Sequence, residues 1–254
     1  MKFFRRKYRT DFSGDYSTWN AAKKACSGYE DQLILKKVRD ALLTVKKGDA
    51  VYERDSVLFY EYNCSWPVLS LLLKIAIEEK NKLSVLDFGG SLGSSYFQFK
   101  PMIPSEVTLN WNIVEQRHFI EEGRRYFEND ELSFFSNISE VVESQKVDLL
   151  FLSSVLPYLE SPIKFLNDVI DLKIKYLAID RTPFFKNHMQ LMKQVVPEEI
   201  YKASYPAWFF NKEEIFNLLS QKYRIISIFD ALDGVYKFKF GKAKSLGVLC
   251  QIKS

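Results

Sequence analysis

Residues that hold metals or disulfides are scarce in this sequence. Among 254 residues there are three cysteines and two histidines, which lie far apart: Cys26, Cys64, Cys250, His118 and His188. Cysteines at this spacing form neither a metal-ligand pair nor an even disulfide framework, and two distant histidines add no metal cluster. We therefore expect no bound metal and a reducing, cytoplasmic compartment.

Long apolar runs and a strong net charge are also missing. No segment approaches the ~18 apolar residues of a membrane helix. The net charge of +4 is too small to predict nucleic-acid binding. The basic stretch at residues 2–9 lacks the apolar segment of a secretory signal and predicts at most weak peripheral contact with an anionic membrane. What the chain has is apolar content: 47% of its residues are hydrophobic, enough for a large core.

The sequence changes character at about residue 80. Residues 1–80 predict a helical extension, with a cap at Thr18 and apolar residues at helical spacing from Ile34 to Val45. A polar and aromatic link at residues 52–60 lies within it. We expect this extension to act as a lid on a second domain, residues 81–254.

In that second domain, predicted strands and helices alternate. The strands are expected at residues 84–88, 107–114, 132–136, 147–152, 175–180, 223–229 and 246–252. The helices are expected at residues 94–100, 117–128, 138–143, 162–171 and 212–221. Continuous apolar strands predict a parallel sheet covered on both faces. The last two strands, joined by a long turn from Asp230 to Lys244, predict an antiparallel pair.

A glycine-rich loop follows the first of these strands. Residues 84–93 read SVLDFGGSLG, a strand that ends in an acid and a tight turn. The loop lacks two of the three glycines of a dinucleotide-binding G-x-G-x-x-G and has no P-loop lysine. It fits the acid-x-G-x-G-x-G motif of S-adenosylmethionine (SAM) methyltransferases at Asp87, Gly89 and Gly93, with Ser91 in place of the middle glycine beside Gly90. The alternative is a purely structural turn.

An acid also ends the second strand. Glu115 follows the apolar end of this strand and lies about 20 residues after Gly93, the spacing of a ribose-binding acid. A carboxylate there can accept hydrogen bonds from both ribose hydroxyls. The alternative is a solvated glutamate beside Gln116 and Arg117.

The third and fourth strands end in small polar residues. Ser136 and Asn137 could read the adenine edge, or could simply cap a helix. Ser153 and Ser154 begin a segment that resembles the one after the fourth strand of methyltransferases, where small residues face the methionine moiety.

Residues after the fifth strand are the candidates for the acceptor side. Asp180 and Arg181 stand at the expected strand end before Pro183, although they could form a surface ion pair. With His188 they are the predicted catalytic residues, since methylation of a hydroxyl needs a nearby base. Glu53 or Asp55 would serve if the extension folds over the site. Four aromatic residues are expected to contact the acceptor or to pack in the core: Tyr158, Tyr201, Tyr205 and Trp208.

Together these segments resemble a family of largely uncharacterised bacterial SAM-dependent methyltransferases that are often encoded with surface-polysaccharide biosynthesis genes. The strings that carry the resemblance are LDFGGSLGS (86–94), IVEQ (113–116), LSSVLPYL (152–159), IDRTPF (179–184), YERDSVLF (52–59), QVVP (194–197) and IYKASYPAW (200–208). They span roughly residues 50–230. The resemblance implies a class I fold, with a seven-stranded, mostly parallel sheet and an antiparallel C-terminal strand, and SAM as cofactor.

The predicted function is therefore methylation of a sugar or another small molecule, including a glycan precursor, at oxygen. The resemblance does not identify the acceptor. Three alternatives stay open at this point. The first is a nicotinamide-dependent oxidoreductase, which the failed dinucleotide motif disfavours. The second is an inert binding protein with a SAM-type fold. The third is a nucleic-acid methyltransferase, although no Asn-Pro-Pro-Tyr or Pro-Cys string follows the fourth strand.

Overall fold

The structure is a computed structural model that describes residues 10–27, 31–198, 200 and 203–253. Its strands are β1 (Asp11–Ser13), β2 (Tyr52–Arg54), β3 (Val57–Phe59), β4 (Lys82–Phe88), β5 (Thr108–Val114), β6 (Leu132–Phe135), β7 (Leu149–Ser153), β8 (Tyr176–Phe185), β9 (Gln190–Val195), β10 (Ser204–Asn211), β11 (Tyr223–Phe238) and β12 (Gly241–Ile252). Its α-helices are α1 (Trp19–Lys24), α2 (Asp31–Lys46), α3 (Trp66–Glu78), α4 (Ser94–Phe99), α5 (Arg117–Tyr126), α6 (Ile138–Ser144), α7 (Pro162–Ile170) and α8 (Lys212–Ser220).

The central sheet has the predicted arrangement. Strands β6, β5, β4, β7 and β8 lie side by side in that order and all run parallel. On the far side of β8, β12 pairs antiparallel with β8, and β11 pairs antiparallel with β12. Five parallel strands followed by an antiparallel pair is the class I methyltransferase fold, and this prediction is confirmed.

The strand end expected at Asp180 is wrong. β8 continues to Phe185, passing through Pro183. Arg181 has a positive φ of 53°, and the register with β12 slips between the pairs Ile179–Val248 and Thr182–Leu246. Two residues of β8 therefore face one residue of β12, which is a β-bulge that bends the strand without ending it.

Beyond this bulge the sheet is larger than expected. The end of β8 pairs with β10, which pairs antiparallel with β9, and β9 pairs with β1.

The long turn expected from Asp230 to Lys244 is also wrong. β11 and β12 run on through most of that segment and are joined at residues 239–240. Charged residues and Gly234 interrupt the apolar pattern there and conceal the strand.

The helices cover both faces of the central sheet. The five helices expected after residue 81 begin at their expected positions. Side-chain caps explain several starts: Thr18 accepts from the Ala21 N–H, Asn137 from the Glu140 N–H, and Asn211 from the Glu213 N–H. α2 and α3 pack into the same hydrophobic core as β4 and β5. A domain boundary at residue 80 stays a prediction.

The expected link at residues 52–60 contains a small hairpin. β2 pairs with β3, and the connecting residues Asp55 and Ser56 both have positive φ, at 52° and 67°. This is the backbone conformation of a tight two-residue hairpin turn. The rings of Tyr52 and Phe59 stack across the two strands, with centroids 4.6 Å apart. The β2–β3 hairpin contacts α4 and so lies at the carboxyl ends of the parallel strands.

Candidate functional site

The loop between β4 and α4 has the backbone of a glycine-rich ligand loop. Gly89 and Gly93 have φ of 73° and 104°, and Ser91, which replaces a motif glycine, has φ of 56°. A side chain on Gly89 would place its Cβ 2.4 Å from Val155 Cγ2. The loop therefore requires glycine for close packing, and Ser91 adopts the left-handed conformation that a glycine would adopt.

Asp87 lies beneath this loop. Its carboxylate accepts a hydrogen bond of 3.0 Å from Trp111 Nε1. A Cβ on Gly90 would come within 2.6 Å of the Asp87 carboxyl carbon. Burial raises the pKa of Asp87 to about 7, against the Trp111 hydrogen bond, which lowers it. Asp87 supports the loop from below, and it is close-packed against the loop backbone.

Glu115 at the end of β5 is tied to the glycine loop. Its carboxylate accepts hydrogen bonds from the Ser91 N–H at 3.2 Å and from the Gln116 N–H at 2.8 Å. Burial raises its pKa, and the two backbone hydrogen bonds act in the opposite direction. Each carboxylate oxygen has a second lone pair that can accept another hydrogen bond. Asp87 thus supports the loop from beneath, and Glu115 lies beside it at the end of the adjacent strand.

Ser136 and Asn137 are occupied by a helix cap. Asn137 Oδ1 accepts from the Glu140 N–H at 2.9 Å, and Ser136 Oγ donates to Glu140 at 2.6 Å. Both residues are exposed. The structure therefore gives these side chains a capping role; binding of an adenine ring by them stays a prediction.

A cavity lies beside the glycine loop at the carboxyl ends of the strands. It is lined by residues of the β2–β3 hairpin, the start of α3, α4, β7, β8 and β11: Glu53, Arg54, Ser65, Ser94, Ser95, Gln98, Phe99, Phe151, Ser153, Asp180, Arg181 and Leu232. Of the predicted site residues, the structure brings Ser153, Asp180 and Arg181 together here. Ser154 is adjacent, and its N–H donates to the Asp180 carbonyl at 3.0 Å.

Glu53 is the buried acid on the hairpin side of this cavity. Its side chain is hydrogen-bonded to the Ser94 hydroxyl and, at 3.0 Å, to the Ser56 N–H. Burial raises its pKa to about 7, because desolvation outweighs the hydrogen bonds that stabilise the charged form. The hairpin and α4 are thus joined through this carboxyl group.

Asp180 is the buried acid on the sheet side. It is 3% exposed, and its Oδ1 accepts the Arg181 N–H at 2.8 Å. Burial raises its pKa to about 6, although the Arg181 charge and hydrogen bond lower it. A carboxylate with a pKa this close to neutrality can take up a proton at physiological pH.

Arg181 connects three elements of the fold. Its guanidinium donates to Asp55 at 2.9 Å and to Asp233 at 3.1 Å, and 14% of its side chain is exposed. Asp55 belongs to the hairpin turn, and Asp233 belongs to β11. The Asp55–Arg181–Asp233 cluster therefore holds the hairpin down onto the sheet.

The structure does not bring the remaining predicted acceptor residues into this cavity. His188 is exposed and stacks on Phe185 at 4.1 Å, so the expectation that it faces the cavity is not met. Tyr158 and Tyr205 contact each other at 5.2 Å, and both bond to Gln194, at 3.0 and 3.2 Å.

Trp208 lies apart from these tyrosines. Its Nε1 donates to the Leu159 carbonyl at 3.1 Å, and its ring stacks on that of Trp19 at a centroid distance of 6.4 Å. Tyr201 is outside the described residues.

The sequence did not single out three polar residues of this region. Arg54 and Gln98 line the cavity, and Asp233 pairs with Arg181. In the sequence, Arg54 lies between Glu53 and Asp55, the two alternative bases. This position is the sequence feature that could have pointed to Arg54. Asp233 was hidden in the segment interpreted as a turn.

No protein-family model and no curated protein matches the chain. Solved structures of SAM-dependent methyltransferases are loosely similar. One from Clostridium acetobutylicum ATCC 824 is 13% identical, covers 86% of this chain and 99% of its own, and has a TM-score of 0.49. The N-terminal domain of EvdMO1, solved in the presence of S-adenosylhomocysteine (SAH) and D-fucose, is 9% identical over 89% and 98%, with a TM-score of 0.46.

The glycopeptide N-methyltransferase MtfA, complexed with sinefungin, is 9% identical over 73% of this chain and 87% of its own, with a TM-score of 0.47. These similarities concern the fold alone.

The described part of the chain contains no helix that is both long and apolar enough to span a membrane.

Proposed function

We propose that this protein is a SAM-dependent methyltransferase that methylates a hydroxyl of a sugar or another small molecule, including a glycan precursor. The observation that carries the proposal is the junction between the glycine loop and Glu115. Backbone with positive φ at Gly89, Ser91 and Gly93 meets an acid at the end of the neighbouring strand. This combination suits a nucleoside. Its ribose hydroxyls need a hydrogen-bond acceptor, and the ligand must pass close to the loop backbone.

The residues present fit SAM. The loop backbone has positive φ at Gly89, Ser91 and Gly93, the conformation of a ligand-binding turn, and Glu115 retains acceptor capacity for the ribose. Asp87 and Gly90 support the loop, and Ser153 lines the cavity next to Ser154. When bound, SAM supplies an electrophilic methyl group on a sulfonium.

The cavity residues supply what the acceptor needs. In the proposed mechanism, Asp180 takes the proton from the acceptor hydroxyl as the oxygen attacks. Its raised pKa, near 6, makes it a stronger base than an exposed aspartate. The Arg181 backbone N–H holds the Asp180 carboxylate, and the Arg181 guanidinium, paired with two acids, holds the hairpin that excludes water. His188 is not part of this mechanism, because its ring stacks on Phe185.

Calorimetry with SAM, SAH and NADH tests the proposal. We expect one SAM or SAH site per chain with a micromolar Kd and no NADH binding. Because such a ligand binds only the native state, a hundredfold excess over Kd should stabilise the protein by ~2.7 kcal/mol and raise its Tm. Binding of NADH alone would indicate the oxidoreductase alternative. SAM binding without methyl transfer to any acceptor pool would indicate an inert binding protein.

A further inference from the structure

We propose that Arg54 binds an acidic group of the methyl acceptor, so that the acceptor carries a carboxylate or a phosphate in addition to the hydroxyl that is methylated. This inference rests on the proposed function and deepens it by naming the substrate class. Its basis is that the donors of the Arg54 guanidinium have no partner among the described residues.

The Arg54 side chain lies beside two aromatic rings and has no polar partner in the part of the protein that the structure describes. Its central carbon lies 5.6 Å from the ring centroid of Tyr52 and 5.7 Å from that of Phe59. These rings cannot accept the in-plane hydrogen bonds that the five guanidinium N–H groups donate. Among the described residues, the Arg54 guanidinium forms neither a hydrogen bond nor an ion pair. Its donors therefore await an acceptor from outside the chain.

The neighbouring arginine is in the opposite situation. Arg181 lines the same cavity, and its donors are taken by Asp55 and Asp233. Arg181 is thus a structural cation. Burial of Arg54, the larger effect, and the positive charge of Arg181 lower the pKa of Arg54, whereas Tyr52, Asp233 and Asp55 raise it. An anion at Arg54 would relieve this repulsion.

The nearby acids do not fill this role. Glu53 and Arg54 are successive residues of β2, so their side chains point to opposite faces of the hairpin. The Glu53 carboxyl is directed to Ser94 and the Ser56 N–H. Asp180 accepts from the Arg181 backbone. The acids line the same cavity, yet none of them pairs with Arg54.

The placement of Arg54 sets the chemistry of the ligand. A planar, always charged fork of donors suits two oxygens of one carboxylate or phosphate. In the same cavity Asp180 is the proposed base, and Ser65 and Gln98 add polar groups. An acceptor with a hydroxyl toward Asp180 and an acid toward Arg54 matches both groups at once. A uronic acid and a sugar phosphate are two molecules of this chemical class.

The test uses inorganic phosphate and acetate as probes on the full chain saturated with SAH. Wild type should bind one probe anion per chain, measured by calorimetry. Arg54→Met should weaken that binding at least tenfold, and Arg54→Lys, which keeps the charge without the bidentate fork, at least threefold. Arg224→Met removes an exposed arginine on β11 as the matched control and should behave as wild type. Preference for phosphate indicates a phosphorylated acceptor, and preference for acetate indicates a carboxylic acid.

Three outcomes would overturn the inference while the proposed function stands. The first is SAH binding by wild type without any saturable anion binding. The second is equal anion affinity in wild type and the Arg54 variants. The third is a loss of SAH affinity in these variants while the binding of 5′-methylthioadenosine is unchanged. This molecule lacks the amino-acid end of SAH. The result would therefore show that Arg54 binds the carboxylate of the cofactor and not the acceptor. If Arg54→Met fails to fold, Arg54→Lys alone decides. Failure of the proposed function has a separate sign: wild type binds no SAH.

Discussion

Single residues at the strand ends differ in how much of their hydrogen-bonding capacity the protein uses. Glu115 accepts two backbone N–H groups, and Glu53 accepts one N–H and one hydroxyl. The Asp180 carboxylate accepts the Arg181 N–H and lies close to the Ser65 hydroxyl, both at the edge of the cavity. A binding acid needs fixed orientation, which backbone donors provide. A base needs an oxygen that is open toward the reacting proton, and Asp180 fits that need better than Glu53.

Replacing Glu115 by glutamine tests its role in binding. We expect SAH affinity to fall by about 1.5–3 kcal/mol, the usual worth of a hydrogen bond to a charged group. Glu121→Gln on the exposed face of α5 is the control, because its side chain is 63% exposed. Calorimetry that gives the same SAH Kd for Glu115→Gln and wild type, both folded, would assign Glu115 to the surface.

Replacing Asp180 by asparagine separates catalysis from binding. Asparagine keeps the acceptor oxygen for the Arg181 N–H but cannot take up a proton. Turnover of the acceptor should fall ~10²–10⁴-fold, while the SAH Kd should stay within about twofold of wild type. Single-turnover rates on an acceptor found by screening acidic sugars measure the first effect. A variant that turns over at the wild-type rate would exclude Asp180 as the base.

Among the elements, the β2–β3 hairpin combines tertiary packing with a strained turn. It contacts α2 and α4 and is also held by the Glu53–Ser94 hydrogen bond and the Asp55–Arg181 ion pair. Its turn residues, Asp55 and Ser56, have positive φ without being glycine, which costs free energy. Such strain lowers the free energy of local opening. The hairpin is therefore the element that we expect to admit ligands.

Asp55→Asn should loosen the hairpin without destabilising the fold. The Asp55 side chain is 57% exposed, so its ion pair with Arg181 contributes only about 0–1 kcal/mol to the free energy of unfolding. We expect faster amide hydrogen exchange in residues 52–59, detected by mass spectrometry, with a nearly unchanged Tm. Asp40→Asn, which breaks an exposed pair with Arg39 on α2, is the control. Unchanged exchange across the hairpin would contradict this role of the pair.

At the scale of the whole molecule, buried acids make stability depend on pH. Burial raises the pKa of Glu53 and Asp87 to about 7 and that of Asp180 to about 6. The folded state therefore binds more protons than the unfolded state between the ordinary pKa of these acids and the raised values. The free energy of unfolding accordingly falls as pH rises through this window.

We expect the Tm of the unliganded protein to be several degrees lower at pH 8 than at pH 5.5. Glu53→Gln should raise stability at pH 8, by on the order of 2 kcal/mol, because it removes a buried charge, and should have little effect near pH 5. Glu61→Gln, at an exposed position, should leave the pH dependence intact. Differential scanning fluorimetry across this pH range measures both. A Tm that rises with pH in wild type would refute the assignment of these pKa shifts.

The central sheet could be predicted from the sequence because each strand is a short apolar run bounded by polar residues. The glycine loop and Glu115 could be found for the same reason, since they follow directly on such runs. The residues that line the cavity could not be identified from the sequence in this way. Glu53 is buried in a segment that looks like a polar link, and its burial depends on α4, which is distant in sequence. His188 looked functional by residue type alone, and nothing local reveals that it stacks on Phe185.

The bulge at Arg181 divides β8 into two parts that pair with different strands. Up to Asp180 the strand belongs to the ladder with β7, and beyond the bulge, at Phe184–Phe185, it belongs to the ladder with β10. The β9–β10 unit is thus attached through a short seam, and insertions or deletions within it can accumulate without changing the register of the strands around the glycine loop. We therefore expect a loop inserted between β9 and β10 to leave the strand pairing around the glycine loop unchanged.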